Sequence, residues 1–124
     1  MDKKLIEKII GKKNYVNLDD EIYILSEIMS VIRENIQNNL VFTDEIINEV
    51  NRKASKSQVI IKEIIEGLEE DSFIVGYTNS KIYLLKYLKN INKNLEGIIK
   101  STNPYDYNSL IIYANSLIDL TMIF

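Results

Sequence analysis

The chain has 124 residues, with 15 basic and 18 acidic side chains and a formal net charge of -3. Its composition, 46% apolar and 27% charged, is that of a globular domain long enough to bury its own core. Cysteine and histidine are both absent, which excludes disulfides, thiolate nucleophiles, zinc–thiolate sites and histidine bases. The four glycines form no phosphate-binding loop, and no metal-ligand spacing occurs. We therefore expect a protein that is not an enzyme and that holds neither a metal ion nor a cofactor.

The chain carries no sequence signal for a membrane. Its first residues, MDKKLIEKII, are too short and too charged for a signal peptide. No stretch approaches the roughly 18 uncharged apolar residues that a spanning helix requires. These observations predict a soluble, cytoplasmic protein without membrane association.

The N-terminal part is predicted to be helical. Apolar residues at helical spacing predict a short helix over 3–10 that ends at Gly11, followed by a connector over 12–18. A longer helix is predicted over 19–37, where five apolar residues form one stripe. The helix dipole favours the three carboxylates of its first turn: Asp19, Asp20 and Glu21.

Two short helices with a tight turn between them are predicted next. The apolar run 40–42 predicts a very short strand, after which Thr43 caps a helix that extends to Ala54. The segment SKSQ at 55–58 is a capping box, with a hydroxyl at the N-cap and glutamine three residues later. A second helix is therefore predicted over 55–70.

A β-hairpin and two further helices complete the prediction. Residues 73–77 and 81–85 are rich in β-branched and aromatic side chains, and the turn-forming residues 78–80 separate them. A loop over 101–107 leads to a final helix over 108–124 that is apolar on most sides, so a second subunit is expected to cover it. The helix between the hairpin and the loop is predicted from one apolar stripe: Leu84, Leu88, Ile91, Leu95 and Ile98.

The order of these elements resembles that of the winged helix-turn-helix superfamily across 19–86. The segments that carry the resemblance are LVF, TDEIINEVNRKA, SKSQVIIKEIIEGLEEDSFI and VGYTNSKIYL. The resemblance implies a mainly α fold with a small β-hairpin as the wing, plus flanking helices. It divides the chain into an N-terminal helix and connector over 1–18, the winged core over 19–86, and a helical region over 87–124 that forms a homodimer.

The resemblance also implies that the helix beginning at Ser55 enters the major groove of double-stranded DNA, with the hairpin tip near the backbone or minor groove. Glutamine can pair with the adenine edge, and valine can contact a thymine methyl group. Lysines suit phosphates, and a helix N-terminus can hold an anion. The implied DNA-binding residues are Arg52, Lys53, Ser55, Lys56, Ser57, Gln58, Val59, Lys62, Thr78, Asn79, Ser80 and Lys81.

Two functions remain open on the sequence alone. The first is a homodimeric, sequence-specific DNA-binding regulator of transcription, although Glu63 and Glu66 on the outward side of the predicted recognition helix oppose contact with phosphates. The second is a non-enzymatic protein-interaction module, either a winged-helix adapter or a helical bundle of the immunity or antitoxin type. The bundle requires 73–85 to be helical, so that segment separates the two hypotheses.

Overall fold

The computed structural model describes residues 3–37, 43–70 and 76–121. Across these ranges no strand occurs, and the sole β-type pairing is an isolated bridge between Thr102 and Tyr105. The described residues form five helices: α1 (Lys3–Ile10), α2 (Lys12–Gln37), α3 (Asp44–Glu69), α4 (Thr78–Thr102) and α5 (Tyr107–Thr121).

Helices α2 to α5 form a four-helix bundle. Each helix packs against the next one along the chain, and α5 also packs against α2, which closes the bundle. Asn51 of α3 contacts Thr102 at the end of α4, whereas Glu69 at the end of α3 pairs with Lys89. Because these contacts advance along α3 and retreat along α4, the two helices are antiparallel. Helix α1 packs against α2.

The core follows from the helical spacing of apolar residues. Side chains three or four positions apart lie on one side of a helix, and these sides face each other inside the bundle. Burial of each such leucine or isoleucine contributes about 1.5–3 kcal/mol. The stripe predicted on α4 is confirmed, because all five members are buried: Leu84, Leu88, Ile91, Leu95 and Ile98.

Helix α1 ends where the sequence predicts, but the prediction of a connector over 12–18 is wrong. Gly11 has a φ of +86°, a left-handed conformation that favours glycine, and its N–H donates to the Glu7 carbonyl at 2.9 Å. Helix α2 then begins immediately at Lys12, and Leu18 within the expected connector is fully buried. The three carboxylates predicted for a first turn therefore lie about two turns inside α2.

One of those carboxylates is buried in the bundle. Glu21 is only 2% exposed, and its Oε2 has no hydrogen-bond partner among the described residues. A buried polar atom without a partner costs about 1–3 kcal/mol. The apolar residues of α2 offset this cost through their own burial: Leu18, Leu25, Ile28 and Ile32.

Helix α3 is continuous where the sequence predicts two helices. Its start is as predicted, because Thr43 is the N-cap and its hydroxyl oxygen accepts a hydrogen bond from the backbone three residues on, at 3.3 Å. The prediction of a turn before Ser55 is wrong, because α3 continues through that position. Ser57 is fully buried and donates its hydroxyl to the Lys53 carbonyl at 2.9 Å, one turn back in the same helix. No glycine or proline lies in 44–66 to end the helix there.

The predicted hairpin is wrong over its described part. The expected tip, 78–80, forms the first turn of α4, and the expected second strand, 81–85, continues that helix. Gly76 (φ +104°) and Tyr77 (φ +53°) adopt left-handed conformations just before α4 and direct the chain into it. Two other predicted strand segments lie outside the described residues: 40–42 and 73–75.

The fold class is therefore corrected from a winged helix with a β-hairpin to a bundle that is all-helical in the described residues. A winged helix-turn-helix needs a break between two short helices and a hairpin behind the second, and neither is found there. The final helix is close to its predicted position. Its inner side packs on α4 and α2 of the same chain and is buried: Leu110, Ala114 and Leu117.

Candidate interaction surface

Two cations predicted to contact DNA are paired with carboxylates of this chain. Arg52 is exposed and donates two hydrogen bonds to Glu49, of 2.7 and 3.0 Å. Lys53 lies against α2, where its Nζ is 2.9 Å from Glu27 Oε2. The hydrogen bond from each cation lowers the pKa of its carboxylate partner below the ordinary value. These two cations therefore stabilise contacts within and between helices.

The other residues predicted on α3 do not share one side of it. Ser57 is fully buried, and Ser55 is half-buried with its hydroxyl 3.5 Å from Asn51 Oδ1. Gln58 is half-buried, and its Nε2 has no hydrogen-bond partner among the described residues. Of the predicted set on α3 beyond Arg52, only three face outward: Lys56, Val59 and Lys62.

The structure separates the predicted wing from the predicted recognition residues. Lys89 pairs with Glu69 at the end of α3, so the first turn of α4 lies beyond that end. About 20 Å of helix rise separates Lys56 from Glu69. That first turn contains the four residues predicted as wing contacts: Thr78, Asn79, Ser80 and Lys81.

Helix α4 carries a basic surface that is not among the sites predicted from the sequence. This helix contains five lysines and a single acidic residue, Glu96, although the whole chain has a net charge of -3. Four of the lysines recur at spacings of three, four and seven residues, which places them on one side of a helix, opposite the buried stripe. All four are exposed and are called here the lysine stripe: Lys86, Lys89, Lys93 and Lys100.

Half of the lysine stripe is paired with carboxylates. Lys89 Nζ is 2.8 Å from Glu69 Oε1, and Lys100 Nζ is 3.5 Å from Glu96 Oε1. Exposed pairs of this kind are weak and are screened by salt. Neither of the other two lysines forms an ion pair with another residue in the described part of the chain. The stripe therefore leaves cations available to a partner.

An open groove with a volume of about 460 Å³ runs beside the lysine stripe, where α4 meets α5. Its lining includes Asn92, Gly97 and Tyr113 together with three of the stripe lysines. Gly97 lies directly against the Tyr113 ring, and a Cβ at that position would clash with it. Asn92 Oδ1 is buried and has no hydrogen-bond partner among the described residues. The groove thus places an aromatic ring next to positive charge.

Exposed apolar side chains border this basic surface. Ile82 lies one turn before Lys86 on the same outward side and is 60% exposed. Tyr83 follows it and is half exposed. On α5, the helix that forms the other wall of the groove, Ile112 is 63% exposed. Protein-binding surfaces combine an apolar or aromatic centre with a polar, solvent-accessible rim.

A second groove, with a volume of about 470 Å³, lies where α3 begins and α4 ends. Asn51 Nδ2 donates a hydrogen bond of 2.7 Å to Thr102 Oγ1 and so links the two helices there. We call it the amide groove after the side chains that dominate its polar lining: Asp44, Asn48, Asn51, Thr102, Asn103 and Tyr105.

No cluster of three potential metal ligands occurs among the residues that the structure describes. No helix in the same ranges is both long and apolar enough to cross a lipid bilayer. No family model matches the chain, no curated protein matches it, and no solved structure matches it. The comparisons assign no family, and binding to double-stranded DNA and homodimer formation through 87–124 stay predictions.

Proposed function

We propose that this chain is a non-enzymatic protein-interaction module that binds an acidic surface of a partner protein through the lysine stripe. The observation that carries the proposal is the segregation of charge, with five lysines and one glutamate on α4 in a chain of net charge -3. A cationic face attracts an acidic partner and orients it during encounter. An immunity or antitoxin protein that neutralises another protein is one form of such a module.

The groove beside the lysine stripe supports contact with protein. An acidic segment laid along α4 places carboxylates near Lys86 and Lys93, which no carboxylate of the described residues neutralises. The same segment brings a side chain against Tyr113 in the groove. Aromatic contact at the centre with charged groups around it is the usual arrangement of a binding surface.

Double-stranded DNA is the second candidate partner, and the lysine stripe is the observation that favours it. Phosphate contacts dominate the affinity of proteins for DNA, so carboxylates within the surface oppose binding. Glu69 and Glu96 both lie among the stripe lysines and pair with them. The exposed Ile82 at the end of the stripe offers nothing to a phosphate. These features favour an acidic protein over DNA.

Charge reversal on two different helices distinguishes the partners. The variant Lys86→Glu/Lys93→Glu inverts the unpaired half of the stripe, and Lys56→Glu/Lys62→Glu makes the same change in charge on the outward side of α3. Tagged versions of both variants and of the wild type are recovered from cells that produce the chain, and bound protein is quantified. A duplex-DNA titration at low salt is run on the same samples, with circular dichroism to confirm that both variants are folded.

The proposal expects the partner protein to be lost from the α4 variant and retained by the α3 variant. Equal recovery of the partner by both variants would show that α4 is the wrong surface. Duplex binding that weakens steeply with salt and disappears in the α4 variant would favour DNA as the partner of the lysine stripe. Loss of that binding in the α3 variant instead would favour the DNA contacts predicted from the sequence.

A further inference from the structure

The amide groove presents oxygen acceptors on several sides, and none of the described residues that line it is a cation. Asp44 contributes a carboxylate, Asn48 and Asn103 contribute amide oxygens, and Tyr105 contributes a phenol. Asn51 and Thr102 are already joined by their 2.7 Å hydrogen bond. They hold the walls together, and the Asp44 carboxylate with the amide oxygens of Asn48 and Asn103 is left to a ligand.

The surroundings of the groove are electronegative. Thr102 ends α4, so the negative end of that helix dipole lies at the groove, and Lys100 in the same last turn is paired with Glu96. Burial raises the pKa of Tyr105, and the neighbouring Tyr107 and Asp106 raise it further. The N-terminus of α3 has the opposite dipole, but its first turn carries two carboxylates that counter it: Asp44 and Glu45.

We infer that the amide groove binds a cationic group on an alkyl chain, and a guanidinium in preference to an ammonium. A planar guanidinium carries five N–H donors that can reach several separated oxygens, whereas an ammonium carries three on one nitrogen. The Tyr105 ring is 42% exposed and offers a face on which the cation can stack. The volume of about 470 Å³ admits the alkyl stem together with the head group. This site is separate from the lysine stripe and does not depend on the proposed function.

The guanidinium has two sources, an arginine side chain of a peptide or a free alkylguanidine, and three probes separate them. N-acetylarginine methylamide represents the peptide, N-acetylcitrulline methylamide is its neutral counterpart of nearly the same shape, and agmatine is the free form. Each is titrated into the full chain labelled with ¹⁵N, and amide and side-chain shifts are followed. We expect saturable shifts at the groove residues with capped arginine, and binding at least about tenfold weaker with capped citrulline.

Two matched variants test the role of the carboxylate. Asp44→Asn removes the charge that lines the groove, and Glu45→Gln removes the neighbouring charge of the same helical turn, which does not line it. The first is expected to weaken capped-arginine binding about tenfold and the second to leave it unchanged. Tighter binding of capped arginine than of agmatine identifies a peptide side chain as the ligand, and the reverse identifies a free alkylguanidine. The inference is overturned if no probe gives saturable shifts, if citrulline binds as well as arginine, or if the two variants behave alike.

Discussion

The lysine stripe and the amide groove are both built by α4, yet they present opposite chemistry. Along the exposed side of the helix, lysines recur at helical spacing and create a basic surface. At its C-terminal end, Thr102 and Asn103 bring uncharged polar groups next to Asp44 of α3. The net charge of -3 therefore describes neither region, because the charges of this bundle are separated by helix side and by helix end.

The two regions also differ in the contacts that stabilise them. The lysine stripe runs along α4 from Lys86 to the last turn, opposite a fully buried apolar stripe and beside the close contact of Gly97 with Tyr113. The amide groove lies at the end of the bundle, where one hydrogen bond joins Asn51 to Thr102 and a short loop follows. Substitutions beneath the stripe should therefore cost more stability than substitutions around the groove.

The largest effect is expected beneath the lysine stripe. Ile91→Ala should lower the free energy of unfolding by about 2–5 kcal/mol, because Ile91 is fully buried and its loss leaves a cavity. Ile82→Ala, on the outward side of the same helix, should change it by less than about 0.5 kcal/mol. Urea unfolding followed by circular dichroism measures both. Equal losses would contradict the assignment of the outward side of α4.

A smaller effect is expected where α4 meets α5. Gly97→Ala should destabilise the chain by about 1–3 kcal/mol, because the added Cβ forces the Tyr113 ring to move. In a Tyr113→Ala background the clash is absent, and the same change should be neutral or stabilising by up to about 1 kcal/mol, since alanine is the better helix former. Urea unfolding of the four proteins in the double-mutant cycle tests this, and an identical cost in both backgrounds would refute it.

A loss of about 1 kcal/mol is expected at the amide groove. Asn51→Ala removes the side-chain hydrogen bond that joins α3 to α4 through Thr102. Asn48→Ala is the matched control, because Asn48 lines the same groove on the preceding turn and is exposed. Thermal unfolding of both variants measures the difference. A control as destabilised as Asn51→Ala would show that the hydrogen bond is not what holds this end together.

The smallest effect is a pH dependence beside the groove. The Ser109 backbone N–H and hydroxyl donate to Asp106 at 3.2 and 3.0 Å and lower the pKa of Asp106 below its ordinary value of about 3.9. The pKa of Asp106 is lower in the folded chain than in the unfolded chain, so the ionised carboxylate stabilises the fold above about pH 4. That stabilisation is lost as the pH falls through the folded pKa. Asp106→Asn should therefore be less stable than wild type at neutral pH, and the difference should shrink in acid. A melting-temperature difference that stays constant with pH would argue against this role.

Some of the fold could be predicted because the signals have one physical meaning. Gly11 ends a helix through its left-handed conformation, and at Thr43 the hydroxyl cap and the two carboxylates that follow it mark the same helix start. The apolar stripe of α4 has a period that no strand shares, and it is buried as predicted. These elements did not depend on the resemblance to another family.

The errors come from residue types that have two uses. A serine hydroxyl can cap a helix or donate to a carbonyl one turn back, and Ser57 does the latter inside α3. The turn-forming residues at 78–80 also suit the first turn of a helix, and four consecutive apolar residues at 82–85 fit either a strand or a buried helix. Only tertiary packing decides between these uses.

The two surfaces differ in how far sequence could reveal them. The lysine stripe is a local pattern on one helix, so the sequence alone can reveal it. The resemblance to a winged helix instead places the DNA contacts around Ser55 and at the expected wing. The amide groove joins Asn51 to Thr102, which are far apart in the chain. Its members meet only because α3 and α4 are antiparallel in one particular register, and no local pattern encodes that register.

The buried carboxylate of Glu21 makes α2 the place where this protein can be made more heat-resistant without touching either surface. Its Oε2 gives up contact with water and gains no partner among the described residues. A thioether of similar length in Glu21→Met fills the same space without that penalty and should raise the melting temperature, by a free energy on the order of 1 kcal/mol. A more thermostable chain of this kind would be the natural background for the charge-reversal and titration variants.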